Sequence, residues 1–266
     1  MTPAQHASAA RALLHAEAER TQIGLLSLQY PEMEMRDAYA IQNEILNAKR
    51  ASGRSVIGWK IGLTSKAMQS ALNIDIPDSG VLFDDMLFND DGLVPKDRFI
   101  QPRVEAEIAF VFKSPLGGAH LSAEDVINAT DYVTPSLEIL DTRIVRQDPQ
   151  SGKARTVLDT ISDNAANAGV VLGAQKHVIS SHDLRWVGAI VSRDKEVEET
   201  GLGAGVLNDP VTSVLWLAQR MAQYGQKIEP GQIVLSGSFI RPIECPSGSH
   251  IHADFGPFGQ VAISFE

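Results

Sequence analysis

A single cysteine, Cys245, stands in 266 residues, so the chain cannot close an internal disulfide. No apolar run approaches the roughly 20 residues that cross a bilayer, and the first thirty residues lack the apolar centre of a secretion signal. Together these absences point to a reducing cytoplasm. Basic residues are scarce as well. With 23 Lys and Arg against 33 Asp and Glu, the net charge of −10 argues against a general nucleic-acid surface and obliges an anionic substrate to find local cations. The seven histidines form no metal-ligand spacing, and Cys245, next to Pro246, has no catalytic signature. Gly201-Leu-Gly-Ala-Gly205 lacks the spacing of a dinucleotide loop and reads as a turn.

What is present divides the chain in two. Residues 3 to 30, rich in Ala, Leu, Glu and Gln, read as helix, and Glu34 to Lys49 place Ala38, Ile41, Ile45 and Leu46 at helical spacing before Gly53 closes the element. From Ser55 the pattern changes: Val56 to Leu63 sets Ile57, Trp59, Ile61 and Leu63 against Gly58, Lys60 and Gly62, as in a strand. A helical portion over residues 1–54 and a main domain over 55–266 follow. Within the main domain, Ser122-Ala-Glu-Asp125 and Asn208-Asp209-Pro210 open helices, while Gly231 to Leu235, Ile251 to Phe255 and Val261 to Phe265 read as strands. The class is α+β.

Two glutamates one residue apart carry the first chemical signal. In Val104-Glu-Ala-Glu-Ile-Ala-Phe-Val-Phe112, Glu105 and Glu107 share a strand face with Ala109 and Val111, and the opposite face is apolar throughout. Burying two carboxylates is costly unless a cation or a proton compensates them. Glu138, in the apolar segment Ser136 to Asp141, supplies a third oxygen ligand if the two strands are neighbours. Oxygen-only ligation favours a hard ion, Mg²⁺ or Mn²⁺. An exposed edge strand is the alternative for a bare E-x-E, and the apolar neighbours argue against it.

Other residues are ambiguous on spacing alone. Lys60, between Gly58 and Gly62, sits where burial would loosen its proton and fit it for acid–base chemistry, or it pairs with a structural carboxylate. Asp78, in Ile76-Pro-Asp-Ser-Gly80, reads by itself as an Asx turn. Asp159-Thr-Ile-Ser-Asp163-Asn164 either caps a helix or lines a pocket. Ser236-Gly-Ser238 offers donors at a strand end, suitable for a carboxylate, or is an ordinary turn.

In order and spacing, Gly58-Trp-Lys60-Ile-Gly-Leu-Thr-Ser65, Pro77-Asp-Ser-Gly80, Gln101-Pro-Arg-Val-Glu-Ala-Glu107, Ser136-Leu-Glu138 and Ser162-Asp-Asn-Ala-Ala-Asn167 resemble the hydratase and decarboxylase branch of the fumarylacetoacetate hydrolase superfamily, over nearly the whole chain. The resemblance implies a mixed β-sandwich roll with a small N-terminal helical portion. It also implies Mg²⁺ on Glu105, Glu107 and Glu138, Lys60 and Asp78 as acid–base residues, and homo-oligomers that include fivefold rings. The implied reaction, in aromatic meta-cleavage catabolism, isomerises a seven-carbon 2-oxo enoic diacid through a dienolate and adds water at C4; Asp159 or a water on the metal is the candidate for activating that water. Ser238 and one of Arg143, Arg155 and Arg241 are candidates for binding the substrate carboxylates. A decarboxylase of a six-carbon enedioate and a hydratase of 2-hydroxypentadienoate are the alternatives within the branch. An acylpyruvate hydrolase would want a His–Glu pair that the sequence lacks, and a non-catalytic partner would not keep Lys60 and all three glutamates.

Overall fold

In the computed structural model, which describes residues 1–71, 76–118 and 120–266, the helical portion comprises α1 (Pro3–Glu19), α2 (Leu26–Gln29) and α3 (Met35–Ala51). Thr2 accepts the Gln5 N–H and Pro3 occupies the first helical position, so the start of α1 is capped locally. The sequence predicts helix to residue 30, yet α1 stops at Arg20, which adopts a left-handed φ of 52°. The reason lies elsewhere in the chain: the Ile23 N–H donates to Arg143 O at 2.9 Å, and the Val145 N–H donates to Ile23 O at 3.0 Å. Two tertiary backbone bonds override helix propensity, which is a weak local preference. The apolar faces of α1 and α3, through Ala9, Leu13, Ala38, Ile41 and Ile45, close on each other and on Ile144 and Ile161. The helical portion therefore shares its core with the main domain.

The rest of the chain supplies β1 (Val56–Gly62), α4 (Lys66–Ala71), β2 (Asp78–Phe83), β3 (Leu87–Phe88), β4 (Gly92–Val94), β5 (Arg103–Phe112), α5 (Ala123–Ala129), β6 (Thr130–Leu140), α6 (Val157–Ser162) and β7 (Asn167–Leu172). Then follow β8 (Gly188–Arg193), β9 (Glu196–Leu202), α7 (Pro210–Gln223), β10 (Ile233–Leu235), β11 (Ile243–Glu244), β12 (His250–Asp254) and β13 (Gln260–Phe265). Among the described residues the larger sheet has the order β2-β1-β10-β5-β6-β7-β3, with β11 on β5, and the smaller has the order β4-β13-β12-β8-β9. Parallel pairs (β1 with β10, β3 with β7, β4 with β13) sit among antiparallel ones, which makes the sheets mixed as expected. Both expected helix starts are present: Ser122 caps α5 reciprocally with Asp125, and Asp209 accepts the Val211 N–H ahead of Pro210 in α7.

The two faces of the larger sheet do different things. Ala106, Ile108, Phe110, Leu137 and Ile139 pack against Ile251, Val261 and Ile263 of the smaller sheet and Leu217 of α7. This is the main apolar core. The opposite face carries Ala109, Val111, Val170, Ile233 and Leu235, covered in part by Leu46 of α3. Polar residues collect there.

Candidate active site

Strands β5 and β6 run antiparallel with Glu105 opposite Glu138 and Glu107 opposite Ser136. Cross-strand partners share a face, so three carboxylates converge, with one oxygen of each within 4.8 Å of the others. Glu107 and Glu138 are fully buried and Glu105 is half-buried. Glu107 Oε2 accepts the Gly237 N–H at 2.7 Å, but Glu107 Oε1 and both oxygens of Glu138 have no hydrogen-bond partner. Burial first, then Glu138 beside it, pushes the Glu105 carboxyl up to about 8. The same causes hold Glu107 well above the ordinary range, and burial raises Glu138 against the pull of Lys60. Orphaned acceptors that repel one another are costly without a cation. Three carboxylates with no sulfur or nitrogen donor suit a hard divalent ion, and by geometry and donor chemistry the triad could hold one.

Lys60 reaches this face through the sheet register, since it pairs with Leu235, which pairs with Ala109 of β5. Its Nζ stands 3.4 Å from Glu138 Oε1. The expectation that burial loosens its proton is reversed. Burial does push the Lys60 pKa down, but Glu138, Asp78, Glu105 and Glu107 outweigh it and hold the amine above its usual range. Asp78 is not in a turn either. It is the buried first residue of β2, paired with Gly62 while Gly80 pairs with Lys60, so its carboxyl shares the Lys60 face. Glycine at 62 leaves room for this pair: a Cβ there would crowd Asp78 Oδ1 and lie 3.0 Å from Lys60 Nζ. Burial raises the Asp78 pKa against the pull of Lys60, and Oδ1 has no partner.

Several residues that were not assigned individual roles from the sequence hold this arrangement together. Asn164 Oδ1 accepts the Val81 N–H at 2.8 Å, and the side-chain amides of Asn164 and Asn167 both donate to Val81 O, at 2.9 and 3.0 Å. They latch β2, and with it Asp78. Gly237, at φ 115°, presents its N–H to Glu107 while its Cα side is pressed against Thr64. The donor expected at the 236–238 strand end thus does meet a carboxylate, but the carboxylate belongs to Glu107. Ser236 Oγ is buried there without a partner. The sequence signals for these residues are the Asp159–Asn164 cluster, the Gly58–Ser65 and Ser162–Asn167 runs, and Ser236-Gly-Ser238.

Four other candidates have other partners. Ser238 Oγ donates to Ile240 O at 2.8 Å and accepts the Ile240 N–H at 3.1 Å, bracing its own turn. Asp159 Oδ1 accepts the Ser27 N–H at 2.8 Å; Oδ2 accepts from Ser27 Oγ (2.7 Å), Thr156 N (2.9 Å) and Thr156 Oγ1 (2.8 Å). It caps α6 and ties α2 to it, so of the two sequence alternatives the capping one describes its bonds. Arg143 is buried on Asp163, with Nε to Oδ1 at 2.5 Å and Nη2 to the Asp163 carbonyl at 2.6 Å. Arg241 lies on the surface, with Nε to Glu199 Oε1 at 2.8 Å. Of the three arginines, Arg155 is the one with a buried nitrogen, Nη1, that lacks a hydrogen-bond partner.

No protein-family model matches the chain, but full-length relatives do. It is 49% identical over 260 residues to 2-oxo-hept-4-ene-1,7-dioate hydratase of Escherichia coli, covering 98% of this chain and 97% of that protein. It is 37% identical over 266 residues to 2-keto-4-pentenoate hydratase of Paraburkholderia xenovorans (strain LB400), covering 100% of this chain and 97% of the relative. The solved structure of 4-oxalocrotonate decarboxylase from Pseudomonas putida G7, complexed with magnesium and adipate, superposes with a TM-score of 0.93 at 32% identity, covering 100% of this chain and 99% of that one. The chain belongs to the hydratase and decarboxylase branch of the fumarylacetoacetate hydrolase superfamily.

Proposed function

We propose that the protein is a Mg²⁺-dependent hydratase of a 2-oxo-hept-4-ene-1,7-dioate-type diacid in aromatic meta-cleavage catabolism, yielding 4-hydroxy-2-oxoheptanedioate. The observation that carries this reading is 49% identity, over nearly the full length, to a hydratase of that diacid in a chain that keeps the carboxylate triad with Lys60 and Asp78 on one sheet face. Glu105, Glu107 and Glu138 would hold the ion. When bound, a divalent ion supplies Lewis acidity that favours enolisation of a 2-oxo acid.

Asp78 and Lys60 divide the proton transfers. The carboxyl of Asp78, buried and with Oδ1 free of partners, is the base that takes the proton from C3; the Lys60 ammonium, kept charged by its carboxylate neighbours, is the acid that returns one at C5. The double bond then lies in conjugation with the carbonyl. Water adds its hydroxyl at C4 and its second proton at C3, so the net change is the gain of one water. Positioned proton transfer contributes roughly 10² to 10⁴-fold to such steps. Asp159 is left out of the chemistry because its oxygens already accept four hydrogen bonds.

The second reading is a decarboxylase of a six-carbon enedioate, favoured by the superposition on 4-oxalocrotonate decarboxylase. Purified protein with Mg²⁺, offered five-, six- and seven-carbon 2-oxo enoic acids with products weighed by mass spectrometry, separates the two. Water gain on the seven-carbon diacid supports the hydratase; CO₂ loss as the main reaction overturns it. The same reading includes a cytoplasmic homo-oligomer, with fivefold rings as the form to test. Among the described residues no helix is long and apolar enough to cross a membrane, and Trp186, Ile190, Val197 and Leu202, exposed on and beside the β8–β9 hairpin, offer an apolar contact surface. Light scattering tests it.

A further inference from the structure

Arg155 is fixed on both sides. Before it, residues 146–155 fold back on themselves: the Arg155 N–H donates to Arg146 O at 2.8 Å, the Asp148 N–H donates to Lys153 O at 2.9 Å, and Gln147 Nε2 donates to Gly152 O at 2.8 Å. After it, Thr156 is the N-cap of α6. The guanidinium is therefore delivered by a braced loop, not by a free one. The two aspartates that favour its charge, Asp163 and Asp159, are bonded to other groups. Asp163 is held by Arg143, Asp159 by Ser27 and Thr156, and Glu244 by both Arg103 and Arg146. Among the described residues Arg155 has no ion-pair partner, and its Nη1 is buried without a hydrogen bond.

A buried guanidinium N–H with nothing to donate to calls for an absent acceptor. Arg103 opens β5, two residues before Glu105; burial first disfavours the charged form of Arg155, Asp163 and Asp159 favour it, and Arg143 and Arg103 oppose it, while Arg155 in turn pulls the Asp78 carboxyl down. Arg155 therefore acts on Asp78 and stands in a corner shared with two other arginines, in a chain whose net charge is −10. A carboxylate suits that corner, since it accepts from a guanidinium through two oxygens at once.

We propose that Arg155 receives the carboxylate at the far end of the substrate and so sets the preference for a 2-oxo diacid over a 2-oxo monoacid. The proposal rests on the hydratase reading for its substrate, but its test does not depend on turnover. With Mg²⁺ present, 2-oxoheptanedioate and 2-oxoheptanoate, which differ only in the distal carboxylate and cannot be hydrated, are titrated by calorimetry into the full chain. Wild type binds the diacid more tightly, and Arg155→Met removes that preference, a change of about 10 to 100-fold in the affinity ratio, as expected for one charge-assisted hydrogen bond. In turnover, the ratio of kcat/KM for the seven-carbon enoic diacid to that for its five-carbon monoacid analogue falls by the same factor, mainly through KM. Arg155→Gln, which keeps the hydrogen-bonding capacity without the charge, gives an intermediate ratio and serves as the folded control should the Met variant disturb the loop. A preference for the diacid that survives in both variants, or no preference in wild type, overturns the proposal. If the selectivity moves with Arg155 but no substrate gains water, the hydratase reading falls and the distal-carboxylate site stands.

Discussion

Two groups of buried carboxylates in this molecule are treated in opposite ways. At the junction of the helices with the main domain, Asp159 accepts four hydrogen bonds and Asp163 accepts from Arg143 and its backbone N–H. On the sheet face, Glu107 keeps one oxygen unmatched, Glu138 both, and Asp78 one. The same residue chemistry at the same depth is thus a clasp where donors are supplied and a candidate reactive or ligating site where they are withheld. Burial is common to the two groups; the number of unmatched oxygens is what separates them.

The comparison can be tested from its most sensitive point outward. Lys60→Met should lower turnover by about two orders of magnitude or more while the Mg²⁺-loaded protein melts near wild type, because the amine acts in proton transfer. Steady-state kinetics and loss of solvent-deuterium exchange into the substrate measure this, and normal exchange would remove Lys60 from the mechanism. Glu107→Gln should weaken Mg²⁺ by at least about 10-fold in a calorimetric titration, since the amide still accepts the Gly237 N–H but brings no charge.

Asp159→Ala should do the reverse. Leaving Ser27 and Thr156 without their acceptor costs about 1 to 3 kcal/mol, read as a lowered melting temperature, with Mg²⁺ affinity unchanged and turnover per folded molecule near wild type. A hundredfold loss of turnover in the folded variant would return Asp159 to the chemistry. Arg241→Met, on an exposed pair with Glu199, should change stability by less than about 0.5 kcal/mol and leave the diacid-to-monoacid selectivity where it is. A loss of that selectivity would transfer the distal site from Arg155 to Arg241.

The same contrast explains what could be read from the sequence. The E-x-E strand, its buried faces and the carboxylate on the neighbouring strand were legible because strand periodicity fixes faces and because apolar neighbours signal burial. The starts of α5 and α7 were legible from their caps. The β8–β9 hairpin was not: its turn places Asp194 and Lys195 at positive φ (54° and 75°) without the Asn-Gly or Asp-Gly pair that marks such turns. Asp78 was misread for a related reason, as Pro77-Asp-Ser-Gly80 has turn composition while pairing with β1 makes it a strand. The sign of the Lys60 shift was out of reach, because it depends on four carboxylates that only the folded sheet brings to one amine. Sorting Arg155 from Arg143 and Arg241 likewise needed their partners, which lie 20 residues away for Arg143 and on a separate strand for Arg241.

The most direct test of the contrast is thermal unfolding with and without Mg²⁺ at about pH 5.5 and about pH 8. The Glu105 carboxyl stands at about 8 in the fold against an ordinary 4.5, so between those values the folded metal-free protein binds a proton that the unfolded chain releases. Its stability must fall as pH rises through that range, and divalent-metal binding, which needs the deprotonated triad, must stabilise more at the higher pH. Wild type and Asp159→Ala should both lose melting temperature toward pH 8 without metal and regain it with Mg²⁺. Glu107→Gln, with one charge fewer to repel, should melt at or above wild type at pH 8 without metal and gain little from Mg²⁺. Equal Mg²⁺ shifts in wild type and Glu107→Gln at both pH values, with no metal-free loss toward pH 8, would contradict the assignment of the triad as the metal site.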